Sequence, residues 1–150
     1  MVHNVWGQYT TKLDAKGRIN ISSKVRRYLR PEDDDTFLVM RHPSEPCIVA
    51  MPISRWEELV EKLETRLDNA SQLKRILRRL LYGASEQRID KQGRLNLTQE
   101  LIEYGQLNGE VLVFGSKDQL EIWNKNVYEA NVLRKPPEKE DERALKEVGL

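Results

Sequence analysis

Two stretches of this chain place the same chemically capable side chains at the same spacing. Leu13-Asp14-Ala15-Lys16-Gly17-Arg18-Ile19-Asn20-Ile21 is answered by Ile89-Asp90-Lys91-Gln92-Gly93-Arg94-Leu95-Asn96-Leu97, with Asp, Gly, Arg and Asn in register. The flanks keep that offset, Lys12 matching Arg88, Ser22 matching Thr98, Val25 matching Leu101 and Tyr28 matching Tyr104. This is an internal duplication. An arginine that ends a tight turn offers a planar fork of donors suited to a phosphate or to the edge of a guanine. The aspartate before it can fix the turn's amides or orient the guanidinium through an ion pair. One copy alone would be an ordinary turn with a solvated arginine, whereas two copies put guanidinium groups on equivalent edges. Arg18 and Arg94 are therefore the candidate binding residues, with Lys16 and Lys91 in the turns and Asp14 and Asp90 as orienting groups. Gln92 stands where the first copy has Lys16, so the second edge is expected to be one positive charge weaker.

No other spacing assembles a reactive centre. His3 and His42 share no metal-type spacing with each other or with Cys47, and no glycine pair matches a dinucleotide or phosphate loop. Glu32-Asp33-Asp34-Asp35 lacks the alternating ligands and central glycine of a calcium loop and reads as a solvated turn. The chain is thus expected to be no enzyme and to need no cofactor, metal or small-molecule substrate. Cys47 cannot form an internal disulfide and reads as a buried small hydrophobe.

With 39% hydrophobic and 33% charged residues, the 150 residues suit a globular protein with a charged surface rather than a disordered chain. A net charge of +1 and a pI near 7.8 fall short of the basic footprint, pI above about 9, that by itself suggests nucleic acid. Positive charge is nevertheless local: Lys24, Arg26, Arg27 and Arg30 crowd one segment, and Lys74, Arg75, Arg78 and Arg79 another. No apolar run approaches the ~18 residues of a membrane span, and the start lacks a signal peptide's plan, so a cytoplasmic location is expected.

The elements that must hold the twin turns follow from periodicity. Alternation in Ile19-Asn20-Ile21 and Leu95-Asn96-Leu97 predicts half-buried strands, each entered through a turn whose glycine takes a positive φ. A short helix follows each, capped by Ser22 or Ser23 and by Thr98, with Gly105 as a stop. Further strands are expected at 36–41 and 47–51 and, after a small shift of register, at 110–114 and 119–123. Ser54-Arg55-Trp56-Glu57 has the spacing of a capping box, opening a helix with a stripe of Trp56, Leu59, Val60, Leu63 and Leu67. A second helix over 70–82 carries Leu73, Ile76, Leu77, Leu80 and Leu81, read as core, opposite its basic residues. Asn124 can cap a shorter helix containing Val127, Tyr128 and Val132. Beyond Pro136-Pro137 the charged remainder reads as a flexible tail or frayed helix.

The opening Gly7-Gln8-Tyr9, the two Asp-x-x-Gly-Arg turns, and Gly115 with Glu121-Ile122-Trp123 resemble the MraZ family of tandem SpoVT/AbrB-type proteins over nearly the whole chain. The resemblance implies an α+β, mainly β fold: two swapped-hairpin AbrB-like β-barrel modules forming an internal pseudo-dimer, with a helical hairpin after the first. It divides the chain into 1–83 (a module at about 7–53 plus helices 54–82), a second module at 84–134, and a charged tail at 135–150. It further implies a ring-shaped homo-oligomer and a nucleoid-associated transcriptional regulator, a repressor, that binds direct repeats upstream of the division and cell wall gene cluster, including its own gene. DNA contact then falls on Arg18, Arg94 and Lys16, with Lys91 beside them and Asp14 and Asp90 orienting. Where the family places proline after the Ile-x-Ile strand, this chain has Ser22 and Thr98, both good caps. An assembly module using helices 54–82, and an RNA-binding or antitoxin-like role, are the alternatives. Helix 70–82 could serve DNA or a subunit interface.

Overall fold

The computed structural model describes residues 5–150; Met1–Asn4, including His3, lie outside the described residues. In chain order the elements are β1 (Val5–Lys12), β2 (Arg18–Asn20), α1 (Ser23–Arg26), a 3-10 turn (Pro31–Asp33), β3 (Thr36–Arg41), β4 (Ile48–Pro52), α2 (Ile53–Arg66) and α3 (Ala70–Leu80). Then come β5 (Ser85–Arg88), β6 (Arg94–Asn96), α4 (Gln99–Tyr104), β7 (Glu110–Lys117), β8 (Gln119–Asn124), α5 (Lys125–Tyr128), a π-turn (Glu129–Leu133) and α6 (Lys139–Glu147). The fold mixes α and β around an antiparallel six-stranded sheet, ordered β1-β7-β8-β4-β3-β5, with β2 and β6 as a separate two-stranded ribbon.

That order reads the same from either end once the duplicated strands are equated, and the registers obey the same two-fold relation. Lys12 of β1 faces Glu110 of β7, while its counterpart Arg88 of β5 faces Thr36 of β3. At the centre, Val49 of β4 faces Glu121 of β8. The outermost strand of each end therefore lies on a hairpin contributed by the other half of the chain. Neither half closes its own sheet.

Alternation along the central strands explains the layers. Phe37, Val39, Ile48 and Ala50 point to one face, where they join Ile19, Ile21, Leu95, Leu97 and Leu101 from the ribbon and its helices. Leu38, Met40, Val49 and Met51 point to the other, beneath Trp56 and Leu59 of α2 and Leu80 of α3. Cys47, Leu112 and Trp123 are covered by Val127 and Tyr128. An isolated two-stranded ribbon is marginal in water. Burial of Ile19, Ile21, Leu95 and Leu97, worth about 1.5–3 kcal/mol each, is what holds this one to the sheet.

Ser22 caps α1 by accepting from Lys24 N–H, Thr98 caps α4 from Leu101 N–H, and Asn124 caps α5 from Asn126 and Val127 N–H. Gly105 ends α4, as its position predicts.

Three expectations are corrected. Ser54 does not cap α2: β4 runs straight into the helix, which starts at Ile53. Ser54 N–H instead donates to Asp33 Oδ1 at 2.9 Å, while Asp33 Oδ2 accepts Arg30 N–H at 3.0 Å. Asp33 is consequently buried, not part of a solvated turn. A carboxylate from a distant turn satisfies the helix's orphan donor and adds a favourable charge at its positive end. Finally, α3 contains no buried residue: Leu73, Ile76, Leu77 and Leu80 are half-buried and Leu81 is exposed, because α3 touches the sheet only near its end. Helix α6 is exposed throughout. Among the described residues no helix is long and apolar enough to cross a membrane.

Candidate nucleic-acid interface

Each duplicated turn is built by its aspartate. Asp14 Oδ1 accepts the backbone N–H groups of Lys16 and Arg18, both at 2.9 Å, and Oδ2 accepts Arg18 Nε–H at 2.8 Å. In the second turn Asp90 Oδ1 accepts from Gln92 and Arg94, both at 2.9 Å, and Oδ2 accepts Arg94 Nε–H at 2.9 Å. Gly17 and Gly93 take φ of +79° and +81°, the left-handed region where a side chain is strained. Each turn is also clasped by the opposite strand, Leu97 N–H donating to Gly17 O and Ile21 N–H to Gly93 O, both at 2.8 Å. A Cβ on Gly17 would sit 3.2 Å from the Leu97 carbonyl oxygen, so the clasp itself favours glycine.

The consequence for the arginines is geometric. Nε is engaged by the aspartate, and no hydrogen bond among the described residues uses the Nη atoms. The fork is aimed and its outer edge is free to donate.

These bonds also set the aspartates' charge. Donation from Arg18 N–H, opposed by some desolvation and aided by the Arg18 guanidinium and Lys16 N–H, holds the Asp14 carboxyl below its ordinary range. Asp90 is lowered in the same way by Arg94 N–H, its guanidinium and Gln92 N–H. A lowered folded pKa means that the stabilisation is fully present above the unfolded value, ~3.9, and is lost as pH falls through the folded one. We therefore expect both turns to be unchanged between pH 5 and 8. In a carboxyl-carbon NMR titration, Asp14 and Asp90 should show midpoints below those of unfolded peptides of the same sequence; a midpoint at or above the peptide's would contradict this geometry.

Ribbon register completes the face. Arg18 pairs with Asn96 and Asn20 with Arg94, around a central Ile19–Leu95 pair. Cross-strand partners share a face, and Ile19 and Leu95 point into the core. Arg18, Asn20, Arg94 and Asn96 therefore all face outward, with both asparagines exposed. In the sequence the asparagines recur at the same offset, but spacing alone assigns them no role. The available signal was that recurrence at the outward position of an alternating strand.

Lys16 and Lys91 are exposed at the two turns. From outside the motif, Arg26 Nη1 of α1 lies 3.8 Å from where a Cβ on Gly93 would be. The equivalent position beside Gly17 is taken by Ile102. The first turn thus has Lys16 and an aliphatic neighbour at its glycine, and the second has Gln92 and an arginine at its glycine. The basic residues of α3 are exposed, and no hydrogen bond or ion pair among the described residues ties them to the ribbon. Cys47 is buried beside Glu121 and Glu45. Desolvation, then those two carboxylates, push its thiol far above the ordinary range, so it stays protonated.

The family described as "MraZ protein, putative antitoxin-like" matches residues 5–79 and again residues 80–148. The chain belongs to the MraZ family. The repeat seen as duplicated turns and a palindromic strand order is thus the family's own unit, met twice. Among relatives, a protein of Marinomonas sp. (strain MWYL1) is 32% identical over 124 residues, covering 83% of this chain and 82% of the relative. One from Pseudoalteromonas atlantica is 33% identical over 127 residues, covering 84% and 83%. One from Dehalococcoides mccartyi is 34% identical over 125 residues, covering 83% and 85%. All three are named as the transcriptional regulator MraZ, a role without catalysis.

Proposed function

We propose that this MraZ-family chain is a sequence-specific DNA-binding transcriptional regulator that lays the β2–β6 ribbon against duplex DNA. The observation that carries the reading is the register that sets two aimed arginines and two asparagines on one exposed face. A major groove about 12 Å wide admits a two-stranded ribbon. Arginine suits guanine O6 and N7, and asparagine suits adenine N6 and N7. Lys16, Lys91 and Arg26 are assigned to the flanking phosphates, which position a protein without specifying sequence. The two-fold relation of the Arg-Asn pairs fits the opposed strands of a duplex. Asp14 and Asp90 serve by orientation.

On this reading the exchanged strands β1 and β5 belong to a swapped-hairpin pair of AbrB-like modules at about 7–53 and 84–134. The homo-oligomer is a ring that presents many ribbons to direct repeats, gaining by avidity what one module lacks. The uncovered apolar side of α3, around Leu73, Leu77 and Leu81, supplies a face for contact between copies. The operator lies upstream of the division and cell wall cluster, with the chain's own gene included, and binding represses it from the nucleoid.

Fluorescence anisotropy with a duplex from the protein's own upstream region, across a salt series, tests this. We expect competitor-resistant binding whose logarithm falls with slope about −0.9 per phosphate contact. Asn20→Ala with Asn96→Ala should leave that slope unchanged and lose discrimination at contacted adenines, about 1–3 kcal/mol at each. Equal weakening on every duplex would remove the asparagines from base reading, and no specific binding at low salt would remove the regulator reading itself.

A further inference from the structure

Away from the ribbon, a cavity of about 590 Å³ opens between the end of β3, the last turn of α3 and helix α4. Arg41 ends β3 with its guanidinium carbon 4.8 Å from the ring centres of both Tyr82 and Tyr104, so aromatic rings cover it twice. Tyr104 is held in place by donation from its hydroxyl toward the carbonyls of His42 and Glu45, at 2.9 and 3.0 Å. The Arg41 Nε is buried and has no hydrogen-bond partner among the described residues. Arg78 and Arg79 line the same cavity, and among the described residues no carboxylate does. No ion pair among the described residues neutralises any of the three arginines. His42 Nδ1 accepts Ser44 and Glu45 N–H, both at 3.1 Å, which puts the ring's own N–H on Nε2.

We infer that this cavity binds a phosphoryl anion, with the guanidinium groups of Arg41, Arg78 and Arg79 supplying charged donors to its oxygens. Three guanidinium groups without a counter-carboxylate exceed what one carboxylate would balance, and the in-plane fork fits phosphate oxygens. The group can belong to a free phosphorylated small molecule or to a DNA backbone, and the two sources are separable. The inference does not rest on the ribbon reading.

Isothermal titration of the full chain with inorganic pyrophosphate, at ionic strength fixed with sodium chloride, tests it. Saturable binding is expected, weakened about 10-fold to 100-fold in Arg41→Gln, the loss expected for one charged hydrogen-bonding partner. Arg78→Gln with Arg79→Gln alters only exposed side chains and should weaken it comparably if Arg41→Gln does not fold. For a free ligand, that double variant leaves the salt slope of DNA binding unchanged. For a backbone phosphate, it lowers the slope by one or two contacts, and pyrophosphate competes with the duplex. Absence of saturation together with an unchanged DNA slope in Arg78→Gln/Arg79→Gln would overturn the site, as would pyrophosphate affinity equal to the parent's in every variant.

Discussion

Arg18→Ala combined with Arg94→Ala should abolish measurable operator binding while leaving the protein folded and its oligomeric state unchanged. Each arginine offers charged hydrogen bonds worth about 1.5–3 kcal/mol to a nucleic-acid acceptor. Losing both costs about 3–6 kcal/mol, roughly 10²-fold to 10⁴-fold in affinity. The cost to folding is small, because the Arg18–Asp14 and Arg94–Asp90 pairs lie at the surface, where solvent and salt screen them. The aspartates keep their backbone bonds in the variant, so the turns persist. The single variants should differ, since Lys16 supports one edge and Arg26 stands beside the other. Anisotropy for binding, size exclusion for assembly and thermal melting for the fold separate these effects. A double variant that binds like the parent would remove the ribbon face as the contact surface.

Leu95→Ala acts through the opposite link of the same strand. Leu95 is fully buried, paired with Ile19 and flanked by Arg94 and Asn96. Truncation removes apolar burial and leaves a void in the layer that anchors the ribbon, a loss of about 2–5 kcal/mol. Against a total stability of about 5–15 kcal/mol for an ordinary domain, this is a large fraction. Urea unfolding should show a lowered midpoint with little change in slope. DNA binding should weaken although every outward residue is intact. A loss under ~1 kcal/mol would mean that the ribbon is held by something other than its inward side chains.

The legible and illegible parts of this fold divide along a physical line. The twin turns were readable because Asp, Gly and Arg act over five residues, and duplication showed that their spacing was no accident. The caps at Ser22, Thr98 and Asn124 were readable for the same reason. The stripe of α2 marks the helix, but local spacing points to Ser54 as its cap, when the acceptor is Asp33 on a turn brought near by folding. The acidic run reads as one solvated unit because composition cannot single out Asp33, the member that folding buries. The apolar stripe of α3 was seen, yet periodicity says only that a face is apolar, not that this chain covers it. The outward asparagines were visible as letters, but their alignment with the arginines across β2 and β6 depends on a register between segments far apart in sequence. Arg26 beside the second turn was illegible because its neighbour, Gly93, comes from the other half.

The interlocked sheet also sets a timetable. Strand β1 leaves the ribosome well before the strand it pairs with, β7, which begins at Glu110. At roughly 5–20 residues per second, synthesis needs about 5–20 s to bridge that interval. Throughout it the nascent chain carries an open strand edge that its own first half cannot fill. The late step in this protein's biogenesis is thus the arrival of its second half, and the first half must be kept from pairing with another nascent copy until then.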